Sequence, residues 1–466
     1  MRSLALLVLL PISLCATESW LRVSTPHFEM YSSTSEGKAR EAVLYIEQVR
    51  AFFQQASSAK KGPEMPVRII AFRGEKQFRP YRINEFATAY YTGTRDRDYI
   101  VMQDISSEHY SEAIHEYAHL VIRHSGLKLP VWMNEGWADL YSTIRPVGDQ
   151  ARVGDVPPGY LRTLAARKWL PLEVLTSASQ QSPYYSERDK AGVFYAQSWA
   201  LMHMLYFDPR YRANFNRFVA SLAVGEGFAE ACREVLAVPM AEVEEDLKRY
   251  FTARNRIAAI VNVKLVRPND DAIVTPLNDF DSRLILADLL VFIGKAGEAK
   301  DALIELGRVD STRPEIEESF GYLAWQQHDL NGAREHFGKA VAQGTRDPRV
   351  CYQFALMEPS DLRVGALQRA VSLRPEFTDA WMQLGLALLN QRDYPAVLAA
   401  LNHVRNVDED QASKLFGARA YALAETGRLA EARQNARDAK KWARTPLDSE
   451  QASSILRYVE RVEAAR

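Results

Sequence analysis

The run Ser111-Glu-Ala-Ile-His-Glu-Tyr-Ala-His119 sets two histidines four residues apart, with Glu116 directly after the first. On a helix His115 and His119 fall one turn apart on the same side. Two neutral imidazoles so placed can bind one zinc ion through a ring nitrogen each, and Glu116 is angled to reach a metal-bound water. A catalytic zinc needs a third protein ligand and one open position. After Pro130 comes Val131-Trp-Met-Asn-Glu-Gly-Trp-Ala-Asp139, which reads as the start of a second helix. Glu135 lies 15 intervening residues beyond His119, enough for one tight connection and an antiparallel return. Asp139 falls one turn after Glu135 on the same face. A carboxylate there can accept the free ring N–H of a zinc-bound histidine, His115 being the simplest candidate.

These residues need rigid elements to hold them. Ile114, Ala118, Val121 and Ile122 recur at helical spacing and suit a core-facing stripe, with Gly126 as a helix stop. Upstream, residues 20–33 alternate and are rich in strand formers, a helix is expected at 35–55, and strands at 67–72, 87–92 and 99–103. Residues 108–254 read as mainly helical, punctuated by Pro130, Pro157, Pro158, Pro183 and Pro239. His109, His124 and His203 are read as surface or core histidines. Trp132, Trp137 and Trp199 are read as core or cleft wall.

From residue 283 the chain is self-similar. Ala299, Leu303, Leu306 recur as Ala333, Phe337, Ala340, then Arg363, Leu367, Ala370, then Val397, Leu401, Val404, then Ala432, Ala436, Ala439. Successive starts are 34, 30, 34 and 35 residues apart. That period, with two amphipathic helices per unit, resembles the tetratricopeptide repeat, and the resemblance implies stacked helix pairs with a concave face for a peptide or protein. The third unit departs from it, with a short first helix near Cys351 to Ala355 and Arg363 at a small-residue position.

The chain has 466 residues, 58 basic and 59 acidic, for a formal net charge of -1. That balance speaks against nucleic acid as a partner and against a polybasic membrane anchor. Three cysteines are too few for a disulfide framework. Arg2, the apolar run Leu4 to Leu10 and small residues near Ala16 describe a secretory leader, too short to span a bilayer. The expected location is therefore extracytoplasmic, secreted or periplasmic. A lipid anchor on Cys15 fits less well, because Leu14 precedes it.

His-Glu-x-x-His followed by Asn-Glu-Gly-x-Ala-Asp resembles the gluzincin metallopeptidases, whose zinc sits on two histidines and a glutamate. Phe194-Tyr195-Ala-Gln-Ser-Trp-Ala-Leu201 is similar to a helix start in aminopeptidase N-like gluzincins, where the tyrosine bonds the oxyanion. The resemblance implies zinc on His115, His119 and Glu135, Glu116 as general base, Tyr195 as oxyanion donor, and Asp139 behind a histidine by similarity to thermolysin-type sequences. Tyr184 and Tyr185 are rival oxyanion donors. With the repeats, the layout is similar to bacterial peptidase-MA-like proteins. Two features depart from the pattern. The spacing to Glu135 is shorter, and the Gly-Ala-Met-Glu-Asn sequence that holds a substrate amine is absent. Ala87-Thr-Ala-Tyr-Tyr-Thr-Gly93 stands in its place, an edge-strand candidate for substrate backbone.

The expected fold class is α+β: a mixed strand and helix subdomain and a helical zincin-like subdomain, then an all-α tetratricopeptide-type solenoid. The expected boundaries are a leader at 1–16 and a metallopeptidase domain at 17–255, strand-rich over 20–105 and helical over 106–255. A connector at 256–282, repeats at 283–445 and a C-terminal helix at 446–466 complete it. The expected activity is zinc-dependent hydrolysis of a peptide or protein, with a further protein partner on the repeats and no transmembrane span. The alternatives are a silent zinc-binding scaffold acting through its repeats, and a zinc hydrolase of non-peptide amides.

Overall fold

The structure, a computed structural model, describes residues 19–56, 65–85, 87–94, 96–147, 150–186, 188–252, 258–261, 263, 271–359, 362–405 and 407–465. The expected leader with Cys15, and Pro268, Asn269 and Asp270 of the expected connector, lie outside the described residues. The chain divides into two compact units, Met1–Ser282 and Arg283–Arg466.

In the first unit, Trp20–Ser24 (β1) and Phe28–Ser32 (β2) pair antiparallel. The stretch 20–33, which alternates like one strand, is thus a hairpin. Pro26 interrupts it, and the Thr25 N–H closes on the Phe28 carbonyl at 2.9 Å. The helix Glu36–Ala56 carries the chain to Val67–Ala71 (β3), parallel to β2. Ala89–Gly93 (β4) and Asp98–Met102 (β5) form a second hairpin, whose β5 lies parallel to β3. All five β5 residues are buried, as a strand covered on both faces requires.

Two further features correct the sequence reading. Arg145–Val147 (β6) and Gln150–Val153 (β7) form a hairpin inside the stretch expected to be mainly helical. Residues 256–282, expected as a connector, hold two strands. Ala259–Val261 (β8) pairs with β7, and Ile273–Leu277 (β9) pairs antiparallel with β1. The main sheet therefore runs β4-β5-β3-β2-β1-β9. Pro276 disguised β9 as a loop, but an edge strand tolerates proline because one of its sides has no partner to donate to.

Two apolar cores flank one helix. The first joins the sheet, the helix Glu36–Ala56 and the buried stripe of the motif helix Tyr110–His124, including Ala113, Ile114 and Ala118. The second surrounds Phe194, Leu201 and Met202 of the helix Arg188–Phe207. The helix Val131–Ser142 stands between them: Ala138 and Tyr141 belong to the first core, Trp132, Met133 and Leu140 to the second. This double burial accounts for its apolar composition, and its polar Glu135 and Asp139 then have to find partners inside the protein.

The second unit is a row of helix pairs. Ala296–Val309, Leu330–Ala342, Leu362–Leu373, Tyr394–Leu401 and Leu429–Lys441 are the second helices of the pairs, and Pro446–Ala464 ends the row. The recurring apolar residues are their buried stripes, Ala333, Phe337 and Ala340 all being fully enclosed. Gly321 shows why a small residue recurs in the first helices, since a Cβ there would stand 2.5 Å from the Phe337 ring. Arg363 departs from the small-residue pattern by donating from Nε to the Ala355 carbonyl at 2.8 Å. No described helix is long and apolar enough to cross a membrane.

Gly136 lets Val131–Ser142 approach Arg188–Phe207: a Cβ there would lie 2.5 Å from the Ser198 carbonyl oxygen and 2.9 Å from the Met202 Cβ. Both obstacles are on a helix held by its own core, so neither can move freely. Gly136→Ala is expected to lower the stability of the first unit by about 1–3 kcal/mol, measured by urea unfolding followed through tryptophan fluorescence.

Candidate metal centre

The motif helix and Val131–Ser142 pack against each other, and the polar residues of both meet at that interface. His115 Nε2 lies 3.3 Å from Glu135 Oε2, His119 Nε2 lies 3.5 Å from the same oxygen, and the two Nε2 atoms are 3.0 Å apart. These are the spacings of a shared ion. Ligands at about 2.0–2.1 Å from a tetrahedral zinc stand about 3.3 Å from each other. Among the described residues this is the one cluster of three or more His, Cys, Asp or Glu side chains that could hold a metal.

The outer nitrogens aim the inner ones. His115 Nδ1 meets Asp139 Oδ1 at 2.9 Å, and His119 Nδ1 meets Asn134 Oδ1 at 2.8 Å. Each acceptor holds a proton on Nδ1, which leaves the Nε2 lone pair of the neutral ring facing the common point. Asn134 stands in the motif without a role that spacing assigns, although it directly precedes Glu135. Tyr160, whose hydroxyl donates to Asp139 Oδ2 at 2.6 Å, has no signal in the spacing. A hairpin separates it from Asp139 in the chain.

Glu116 is held differently. Its Oε2 accepts the Tyr91 backbone N–H at 2.7 Å. β4 is an edge strand. The bonds Gln103 N to Thr88 O and Thr94 N to Arg97 O make the even-numbered residues the inward-bonding ones in its pairing with β5. Ala89, Tyr91 and Gly93 therefore turn their N–H and C=O groups outward. Glu116 takes one of these, and so lies against the strand that borders the cleft.

That cleft, about 970 Å³, opens to solvent and is lined by His115, Glu116, His119, Glu135, β4 and Tyr195. Tyr195 is half-buried on Arg188–Phe207. Tyr184 is not among the lining residues, and the Tyr185 side chain is outside those described. The three histidines read as surface or core residues have partners elsewhere: His109 meets Glu112, His124 meets Asp98, and buried His203 meets the Tyr250 hydroxyl and the Gly154 carbonyl. Trp132 and Trp199 are core residues, and Trp137 packs on Phe215.

The two glutamates sit in opposite electrostatic states. Burial raises the Glu116 pKa above its ordinary value, and the nearby histidines only partly offset it. Burial also opposes ionisation of Glu135, but His119 and His115 outweigh it and hold that carboxyl well below the usual range. Burial disfavours protonated His115, yet Asp139 and Glu135 raise its pKa well above the ordinary histidine value. His119 is likewise raised against its burial, by Glu135.

No family model matches this chain, and no curated protein matches it. Similar solved structures include YrrB, described as a TPR protein with an unusual peptide-binding site, at 20% identity. It covers 38% of this chain and 92% of its own, with a TM-score of 0.33. PilF of Pseudomonas aeruginosa is 17% identical over 40% of this chain and 93% of its own, with a TM-score of 0.26. A thermophilic TPR protein of Thermus thermophilus, TTC0263, is 20% identical over 38% and 98%, with a TM-score of 0.23.

The raised histidines set the pH dependence of metal binding. Without a metal they keep their protons above the ordinary histidine pKa of about 6.5, and a cation must displace those protons. Zinc affinity is expected to rise with pH through and above that value, about tenfold per unit for each proton displaced. In the metal-free protein the histidine–glutamate attraction stabilises the fold above the unfolded glutamate pKa of about 4.3. It is lost as pH climbs through the raised histidine values. Calorimetric titration with zinc in buffers of different ionisation enthalpy measures the protons released.

Proposed function

We propose that the protein is a zinc-dependent peptide hydrolase of the gluzincin kind, with a zincin-like catalytic subdomain and a helical repeat unit that binds a protein. The observation that carries this reading is the meeting of His115, His119 and Glu135 at ion-sharing distances, with the half-buried Glu116 beside them against an edge strand. A site that only stapled the fold would need no base and no open cleft.

The residues present suit zinc: two imidazoles and a carboxylate, with both outer ring nitrogens already engaged. Zinc held there would polarise a scissile carbonyl and make water more acidic. Glu116, its pKa raised by burial, is suited to take a proton from the attacking water and return it to the leaving amine. Tyr195, on the wall of the same cleft, has the hydroxyl to steady the oxyanion. Ala89 and Gly93 turn outward N–H and C=O groups toward a peptide laid along β4, and Tyr91 offers its carbonyl. An extended chain can add to an open edge in this way. The repeat unit suits protein binding through the concave face that stacked helix pairs form. The leader-like first residues support an extracytoplasmic location.

Purified wild type is expected to hold one zinc ion and to cleave members of a broad peptide library. Glu116→Gln is expected to hold equal zinc and to cleave about 10²- to 10⁴-fold more slowly. Zinc-loaded wild type that cleaves no peptide would support the silent scaffold instead.

A further inference from the structure

We infer that Tyr160 is a positioning residue for the metal centre, acting on His115 through Asp139. This deepens the zinc reading and rests on it. Tyr160 opens the short helix Tyr160–Ala166, and its ring meets the buried Trp199 edge-on, with centroids 6.0 Å apart. Its hydroxyl donates to Asp139 Oδ2 at 2.6 Å, while Asp139 Oδ1 takes the His115 Nδ1 proton at 2.9 Å. Among the described residues no other donor reaches the Asp139 carboxylate.

That makes Tyr160 the fixed end of a chain of three. Asp139 is only 5% exposed, so water cannot readily replace a lost donor. A carboxylate turns easily about its last side-chain bond. Held at one oxygen by the imidazole alone, it would follow the ring instead of orienting it. Held at both, it sets the plane in which His115 presents Nε2. His119 needs no such support, because the Asn134 amide that holds it is on the first turn of Val131–Ser142, next to Glu135 itself. The two histidines are thus steadied by different devices, and the His115 device reaches outside the helix pair to a segment beyond the β6–β7 hairpin.

The hydroxyl also divides the work of the Asp139 carboxylate. With Oδ2 taken up by Tyr160, Oδ1 is left to accept from His115 Nδ1, and the ring turns Nε2 toward the common point. Burial and the Asp139 charge raise the Tyr160 pKa well above its ordinary value, so the phenol keeps its proton to donate.

The test is a double-mutant cycle read on zinc affinity, by competition with a chromophoric chelator, using the full chain. Asp139→Asn is expected to weaken zinc about 10- to 100-fold. Tyr160→Phe, which removes one oxygen and keeps the ring on Trp199, is expected to weaken it about tenfold. Adding Tyr160→Phe to Asp139→Asn should cost no more than about twofold, because Tyr160 then has no carboxylate to hold. Substituted cobalt(II) provides a second readout: its visible spectrum should shift in Tyr160→Phe. Wild-type zinc affinity in Tyr160→Phe, or losses that multiply in the double variant, overturns the proposal, as does a lowered melting temperature with unchanged affinity. Wild type that binds no zinc overturns the parent reading instead.

Discussion

Two antiparallel helices share an interface that is apolar on its outer sides and ionic at its centre, and the rest of the first unit depends on how that centre is satisfied. Glu135 and Asp139 are each about 5% exposed. A buried carboxylate without partners is costly by several kcal/mol, so both must be matched inside the protein. The matching groups are the two histidines one turn apart on the motif helix. The pairing is mutual: His115 touches both carboxylates, and Glu135 touches both imidazoles. A register slip of either helix would strand four ionisable groups at once. The same arrangement that makes the interface specific brings the three inner atoms to the edge lengths of a coordination tetrahedron.

The surrounding fold limits such a slip from both sides. Val131–Ser142 contributes to two cores, so rotating it would expose Trp132 and Met133 on one side or Ala138 and Tyr141 on the other. Gly136 brings it close to Arg188–Phe207, which carries Tyr195 into the same cleft. The motif helix is tied in turn to the sheet, through its stripe of apolar residues and through the Glu116 bond to Tyr91 N–H. The position of the general base candidate relative to the edge strand is therefore set by one backbone hydrogen bond, which also removes that N–H from any peptide pairing with β4.

The legible parts of this architecture are those encoded by local spacing. Histidines at i and i+4, carboxylates at i and i+4, and a 34-residue period each specify a shared face regardless of what packs on it, so the meeting of His115, His119 and Glu135 and the helix pairs could be read directly. Tyr160 and the Tyr91 N–H could not, because each meets the site through chain reversals that spacing does not encode. β9 was missed for a related reason. Its partner β1 is some 250 residues away, and Pro276 argues locally against a strand although an edge position accepts it. The β6–β7 hairpin is short and lies between two helices, so its three residue pairs leave little periodic signal.

Glu116 and Glu135 show why residue type alone does not assign chemistry. Glu135 is buried and Glu116 half-buried, and loss of water pushes both carboxyls toward the neutral form. Glu135 accepts the attention of two imidazoles at 3.3 and 3.5 Å and stays ionised, which is the state a cation needs from a ligand. Glu116 is one residue from His115, yet its carboxylate is turned to a neutral backbone donor, so less opposes the effect of burial. Its pKa rises, which brings it nearer the range where one group can both take and return a proton at neutral pH. A bound dication would pull both values down, and more strongly for the carboxylate that touches it. The separation between Glu135 and Glu116 would then persist, because it comes from the direction in which each of the two helices presents its side chain.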